Sequence, residues 1–115
     1  MHALIIEDEI MIAAAIEFVL RDCGFDSFDI ASSSLAAIAA ARRRCPDLIT
    51  ADVKLTAGNG IDAIRTICRD PRIPVIFITG QVAADVRQQV ADYPVLTKPF
   101  SEQTLTYTVA ASLER

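Results

Sequence analysis

Carboxylates, a hydroxyl and an ammonium group recur at one kind of place in this chain, just after a short apolar run. Glu7 and Asp8 follow Ala3, Leu4, Ile5 and Ile6; Asp52 follows Leu48, Ile49, Thr50 and Ala51. Thr79 closes Val75, Ile76, Phe77 and Ile78, and Lys98 follows Val95, Leu96 and Thr97. Clustered carboxylates repel unless they share a proton or bind a hard cation, and oxygen-only ligands suit Mg²⁺. A lysine adds a second positive charge, and a hydroxyl can donate to a phosphoryl oxygen. Phosphoryl transfer needs little more than an in-line nucleophile, a metal to neutralise charge and fixed donors for the equatorial oxygens. On its own segment, Asp52 has the simpler reading of a helix-cap or loop acid. The rest of the chain has to change that.

The elements that would position these residues alternate. A short apolar run bounded by turn signals reads as a strand buried on both faces. Such runs lie at residues 3–6, 48–53 and 75–78, with a less regular edge strand at 25–31 and a brief strand at 95–96. Between them, residues 11–23 space Ile12, Ala15, Ile16, Val19 and Leu20 as a helix stopped by Gly24. The serines at 32–34 offer an N-cap to an alanine-rich helix over 35–44. Gly58 and Gly60 permit backbone angles that other residues resist. Beyond them, Ile61, Ala63, Ile64 and Ile67 mark a third helix, stopped at Asp70 and Pro71. Residues 82–90 read as a short fourth helix, and Ser101 starts a last one running to Leu113.

The order βαβαβαβαβα, without repeat or linker, predicts a single α/β domain over residues 1–115: a doubly wound (βα)5, flavodoxin-like fold with a parallel five-stranded sheet. In the common strand order 2-1-3-4-5, the ligand crevice lies outside the carboxyl ends of strands 1 and 3. Asp8 and Asp52 then meet at one crevice, and Thr79 and Lys98 face the same end. Asp52, standing between the acidic side and the Thr79 and Lys98 side, is the best placed nucleophile.

Composition narrows the partners. With 115 residues, 52% hydrophobic and 23% charged, the chain can bury one core. Its net charge of −4 argues against direct binding of nucleic acid or an anionic membrane. The one basic run, Arg42 to Arg44, sits where cations favour a helix C-terminus. No apolar run nears the roughly 20 residues that span a bilayer, and the N-terminus lacks a signal peptide's basic region, so the cytoplasm is expected. Cys23, Cys45 and Cys68 lack metal-ligand spacing and read as buried thiols, and His2 reads as a surface residue.

Taken together, Glu7-Asp8, Asp52, Thr79-Gly80 and Lys98-Pro99-Phe100 resemble the receiver domain of two-component response regulators along the whole chain. The runs at 74–79 and 96–100 are similar to receivers of alphaproteobacterial general-stress regulators and their single-domain relatives. The resemblance implies that Asp52 accepts a phosphoryl group from a histidine kinase or phosphotransfer protein. Asp8, Asp52 and the Lys54 backbone carbonyl would ligate Mg²⁺, for which Mn²⁺ can stand in, and Glu7 would act through a bound water. Thr79 would contact the phosphoryl group and shift on activation, Lys98 would pair with it, and the Lys98–Pro99 peptide would be cis. The family's members are not enzymes in their own right beyond their own phosphotransfer and slow dephosphorylation. There are two departures: Val95 stands where receivers carry Tyr or Phe, with Tyr93 two residues earlier, and the interval from Thr79 to Lys98 is short.

A chain complete at Arg115 would have to signal through a partner, and helix 4, strand 5 and helix 5 are expected to form that face because they adjoin Thr79 and Lys98. The Lys54 side chain is expected near the path of attacking water, where it would affect phosphoryl lifetime, against the plainer reading of a solvated lysine. Loss of switching at Val95 would instead leave a phosphorylation-independent interaction module. A flavin carrier on this fold is opposed by Glu7, Asp8 and Glu9, which would repel a phosphate. A hydrolase is opposed by Lys54, which stands where such enzymes place a second acid.

Overall fold

A computed structural model of the chain describes residues 1–67, 73–80 and 83–114. Five strands alternate with five helices: β1 (His2–Ile6), α1 (Ile10–Asp22), β2 (Ser27–Ala31), α2 (Ser34–Arg43), β3 (Leu48–Ala51), α3 (Gly60–Ile67), β4 (Val75–Thr79), α4 (Ala84–Gln89), β5 (Val95–Thr97) and α5 (Glu102–Leu113). The sheet is parallel, in the order β2-β1-β3-β4-β5. β1, β3 and β4 are buried along their whole length, as their predominantly apolar sequences require, whereas β2 and β5 lie at the edges and are only partly covered. No helix among the described residues is long and apolar enough to cross a membrane.

Successive strand residues point to opposite faces, which divides the core in two. Leu4, Ile6, Ile49, Ala51, Val75 and Phe77 pack with Ala37 and Ala40 of α2 and Ile61 and Ile64 of α3. Ile5, Leu48, Ile76 and Ile78 pack with Ile16 and Leu20 of α1 and Leu105 and Val109 of α5. Ser33 and Ser101 cap α2 and α5 by accepting from the backbone N–H three residues on. The inward face of α1 is Ala13, Ile16, Val19 and Leu20, while Ala15 faces out. α4 is shorter than the sequence suggests and buries no residue. The helix stop at Asp70 and Pro71, Cys68 and the proposed α4 start at Val82 lie outside the described residues.

Two expectations need correcting. Cys45 is exposed and Cys23, though packed against the core, only half-buried, because both sit beyond the ends of helices. His2 is buried, not on the surface: β1 pairs it with Ser27 of β2. Its Nδ1 lies 2.8 Å from Ser27 Oγ and its Nε2 3.1 Å from Asp29 Oδ2, while Arg44 Nη1 donates to the same serine oxygen at 2.8 Å. A buried polar ring with both nitrogens partnered holds the β1–β2 edge together, and its removal leaves those partners unmatched. His2→Ala is expected to cost about 2 kcal/mol, read from the urea midpoint at constant slope.

Candidate functional site

The parallel register carries the carboxyl ends of β1, β3, β4 and β5 to one edge of the sheet. Ile6 pairs with Ala51, and the Asp52 N–H donates to the Ile6 carbonyl at 2.9 Å, so Glu7, Asp8 and Asp52 leave adjacent strands side by side. Thr79 pairs with Thr97, and the Lys98 N–H donates to the Thr79 carbonyl at 2.8 Å, which brings Lys98 to the same edge. Asp8, Asp52, Lys54, Thr79 and Lys98 line a crevice of about 400 Å³ there. The residues singled out in the sequence therefore converge.

Asp52 is 6% exposed, and both its oxygens are engaged. Oδ1 accepts from the Thr79 hydroxyl at 2.8 Å and from the Lys54 N–H at 3.2 Å; Oδ2 accepts from Lys98 Nζ at 2.7 Å. Lys98 Nζ also stands 2.8 Å from Glu7 Oε1. That contact is an ion pair without hydrogen-bond alignment, so the buried Oε1 has no directed donor among the described residues. Burial pushes the Glu7 carboxyl above its ordinary value, and Asp52's charge adds to this while Lys98 opposes it. Burial alone would lower the Lys98 ammonium, but its hydrogen bond to Asp52 and its close charge contacts with Asp52 and Glu7 outweigh that and raise it. Asp8 is held below the usual carboxylate value, chiefly by the hydroxyl of Thr56.

Glu7, Asp8 and Asp52 each offer a carboxylate oxygen within 4.8 Å of the other two. Three acids share this edge with one half-buried ammonium, and one buried acid oxygen lacks a directed donor. An all-oxygen set with excess negative charge fits a hard divalent cation. The Lys54 side chain is exposed at the rim, and its backbone N–H is turned to Asp52. The Lys98–Pro99 peptide is cis. Val95 packs against the core face that holds Phe77, its partner on β4, and the aromatic two residues earlier, Tyr93, meets Phe77 edge to face at 5.4 Å.

Sequence reasoning missed two features of this end of the molecule. Thr56, in the loop after β3, grips Asp8 through both its N–H and its hydroxyl. Ile10 and Met11, at the first turn of α1, are 84% and 83% exposed beside the acidic cluster. The second had a visible signal, an Ile-Met pair directly after three acids; the first depends on a tertiary contact.

A family model described as the response regulator receiver domain matches residues 3–110. The chain is 32% identical over 117 residues to the DNA-binding response regulator MtrA of Mycobacterium tuberculosis, covering 97% of this chain and 50% of that protein. It spans about half the length of the curated relatives it matches. Among solved structures, the response regulator domain of PhyR from Erythrobacter litoralis is 36% identical with a TM-score of 0.81, over 97% of this chain and 88% of that one. The chemotaxis protein CheY4 of Vibrio cholerae shares the fold, with a TM-score of 0.85 at 23% identity over 97% and 98% of the two chains.

Proposed function

The chain belongs to the response regulator receiver family, and from that premise we propose that Asp52 is its phosphoacceptor. The observation that carries this reading is the pair of donors on one nearly buried carboxylate: the Thr79 hydroxyl at 2.8 Å and Lys98 Nζ at 2.7 Å. In the transfer, an Asp52 oxygen forms a bond to phosphorus as the phosphorus–nitrogen bond of a phosphohistidine breaks, and the freed imidazole leaves with the electron pair. Thr79 and Lys98 then turn from the carboxylate to the new phosphoryl oxygens, which lie within reach of the same side chains. Mg²⁺, held by Asp8, Asp52 and the Lys54 carbonyl with Glu7 behind a water, would neutralise charge on the transferring group. On this reading the receiver domain is a substrate and partial catalyst of its own phosphorylation and slow dephosphorylation.

The donor is a histidine kinase or phosphotransfer protein, and the cytoplasm is where such a donor presents its phosphohistidine. Ile10 and Met11 give it an apolar foothold next to Asp8. Output passes through α4, β5 and α5, where no residue of α4 is fully buried and the helix can repack when Thr79 moves.

The test is incubation with a small phosphodonor and Mg²⁺, followed by intact-mass measurement and by transfer from candidate kinases. Wild type is expected to gain one phosphoryl group and Asp52→Asn none. Lack of any gain in the wild type would leave a phosphorylation-independent interaction module, the reading that Val95 favours.

A further inference from the structure

The loop after β3 reaches across to Asp8, at the end of β1, through Thr56. Thr56 donates to Asp8 Oδ2 twice, from its backbone N–H at 2.7 Å and its hydroxyl at 2.6 Å. Both are charge-assisted bonds at the short end of the range, and both fall on one oxygen, which leaves the other oxygen of the carboxylate to a cation. The next residue, Ala57, accepts from the Ser34 N–H at 3.2 Å, so the loop is tied to α2 on its other side. A surface carboxylate with one free torsion pair would otherwise sample several rotamers. Here it is fixed from outside the cluster, toward Glu7 and Asp52.

We propose that Thr56 is a positioning residue for the metal site, holding the Asp8 carboxylate in the orientation in which it ligates a divalent cation. This rests on the phosphoacceptor reading of the site and adds to it a residue outside the acids themselves. Hydrogen-bond partners of metal ligands restrict the ligand's orientation before the metal arrives, and their loss lowers affinity without removing a ligand. The hydroxyl makes the shorter of the two bonds, 2.6 Å against 2.7 Å. It is also the part of the grip that a side-chain substitution removes, because every residue except proline keeps the backbone donor.

The experiment is a titration with Mg²⁺ alone, followed by amide chemical shifts of Asp8, Thr56, Ala57 and Ser34, for wild type, Thr56→Val and Thr56→Ser. Thr56→Val preserves shape and β-branching but loses the hydroxyl, and it is expected to weaken Mg²⁺ binding about 10-fold. Thr56→Ser restores a donor at the same place and is expected to recover most of the affinity. Equal or tighter binding by Thr56→Val, or failure of Thr56→Ser to recover what Thr56→Val loses, overturns the proposal while the phosphoacceptor reading stands. A wild type whose shifts do not respond to Mg²⁺ overturns both.

Discussion

Lys98→Met is expected to cost about 3 kcal/mol of stability at neutral pH, the loss that follows when one partner of a buried ionic group is removed. Methionine keeps the length and the apolar stem of lysine, so the lost ammonium is the main change. In the native protein that ammonium lies 2.7 Å from Asp52 and 2.8 Å from Glu7, whose side chains are 8% and 1% exposed. Without it, two buried acids face each other and Asp8 with no cation. Phosphoryl uptake is expected to fall by about 100-fold or more, because a fixed donor for the transferred group goes with it.

Two further measurements distinguish this cause from a packing defect. Saturating Mg²⁺ is expected to raise the melting temperature of Lys98→Met more than that of wild type, since a bound cation replaces part of the missing charge. The pH dependence has a definite sign at each end. Lys98 is raised above the ordinary lysine value of 10.5, so the stability it contributes is fully present below that value and is lost as pH rises through its value in the folded protein. Wild type therefore loses stability in alkali through this group, and the variant does not. Glu7 is raised above 4.5, so the stability linked to its protonated form is full below 4.5 and lost as pH rises through its folded value. Removing Lys98 takes away an influence that lowers Glu7, so the deficit of the variant is expected to shrink in mild acid. A deficit independent of pH and of Mg²⁺ would assign Lys98 to packing alone.

The fold was legible where one residue type settled the matter locally. Predominantly apolar runs marked β1, β3 and β4 as central strands, and their alternation with helices led to the observed strand order. That order alone brings Asp8 to Asp52, because parallel strands end at the same edge and β1 and β3 are neighbours. His2 was not legible in this way. A lone histidine before an apolar run looks like a surface residue, and only the pairing of β1 with β2 sets it against Ser27 and Asp29. Thr56 is the same case at the site, where the identity of a loop residue gives no hint of the carboxylate it reaches. The α1 periodicity went astray at Ala15, since alanine fits either side of a helix and carries little information about which way it faces. Gly60 shows a subtler miss. Gly58 has a φ of 92°, as expected of a glycine in such a loop, but Gly60 is absent from the positive-φ residues and is needed for a different reason.

That reason is space, and it carries the second large effect: Gly60→Ala is expected to destabilise the protein by about 3 kcal/mol, the upper end for overpacking. A Cβ at Gly60 would run into the carbonyl oxygen of Asp52, come within 2.8 Å of its carbonyl carbon and press on the Val53 Cα. These are backbone atoms and cannot rotate aside. The Gly60 N–H donates to the Val53 carbonyl at 2.9 Å, so the first turn of α3 is already pinned against the end of β3. Alanine is the better helix former by up to about 1 kcal/mol, and that gain is too small to offset the clash. Relief must come from moving α3 away or from moving Asp52 itself, and the second displaces the carboxylate from Thr79 and Lys98. Phosphoryl uptake is therefore expected to fall even at temperatures where the variant remains folded. Gly80→Ala is the control, since a Cβ there meets nothing within 4 Å although the residue lines the same crevice. It is expected to change stability by no more than about 0.5 kcal/mol. Equal melting curves for Gly60→Ala and Gly80→Ala would show that β3 and α3 can separate without cost, and would remove the close approach of Gly60 from the account of how Asp52 is held.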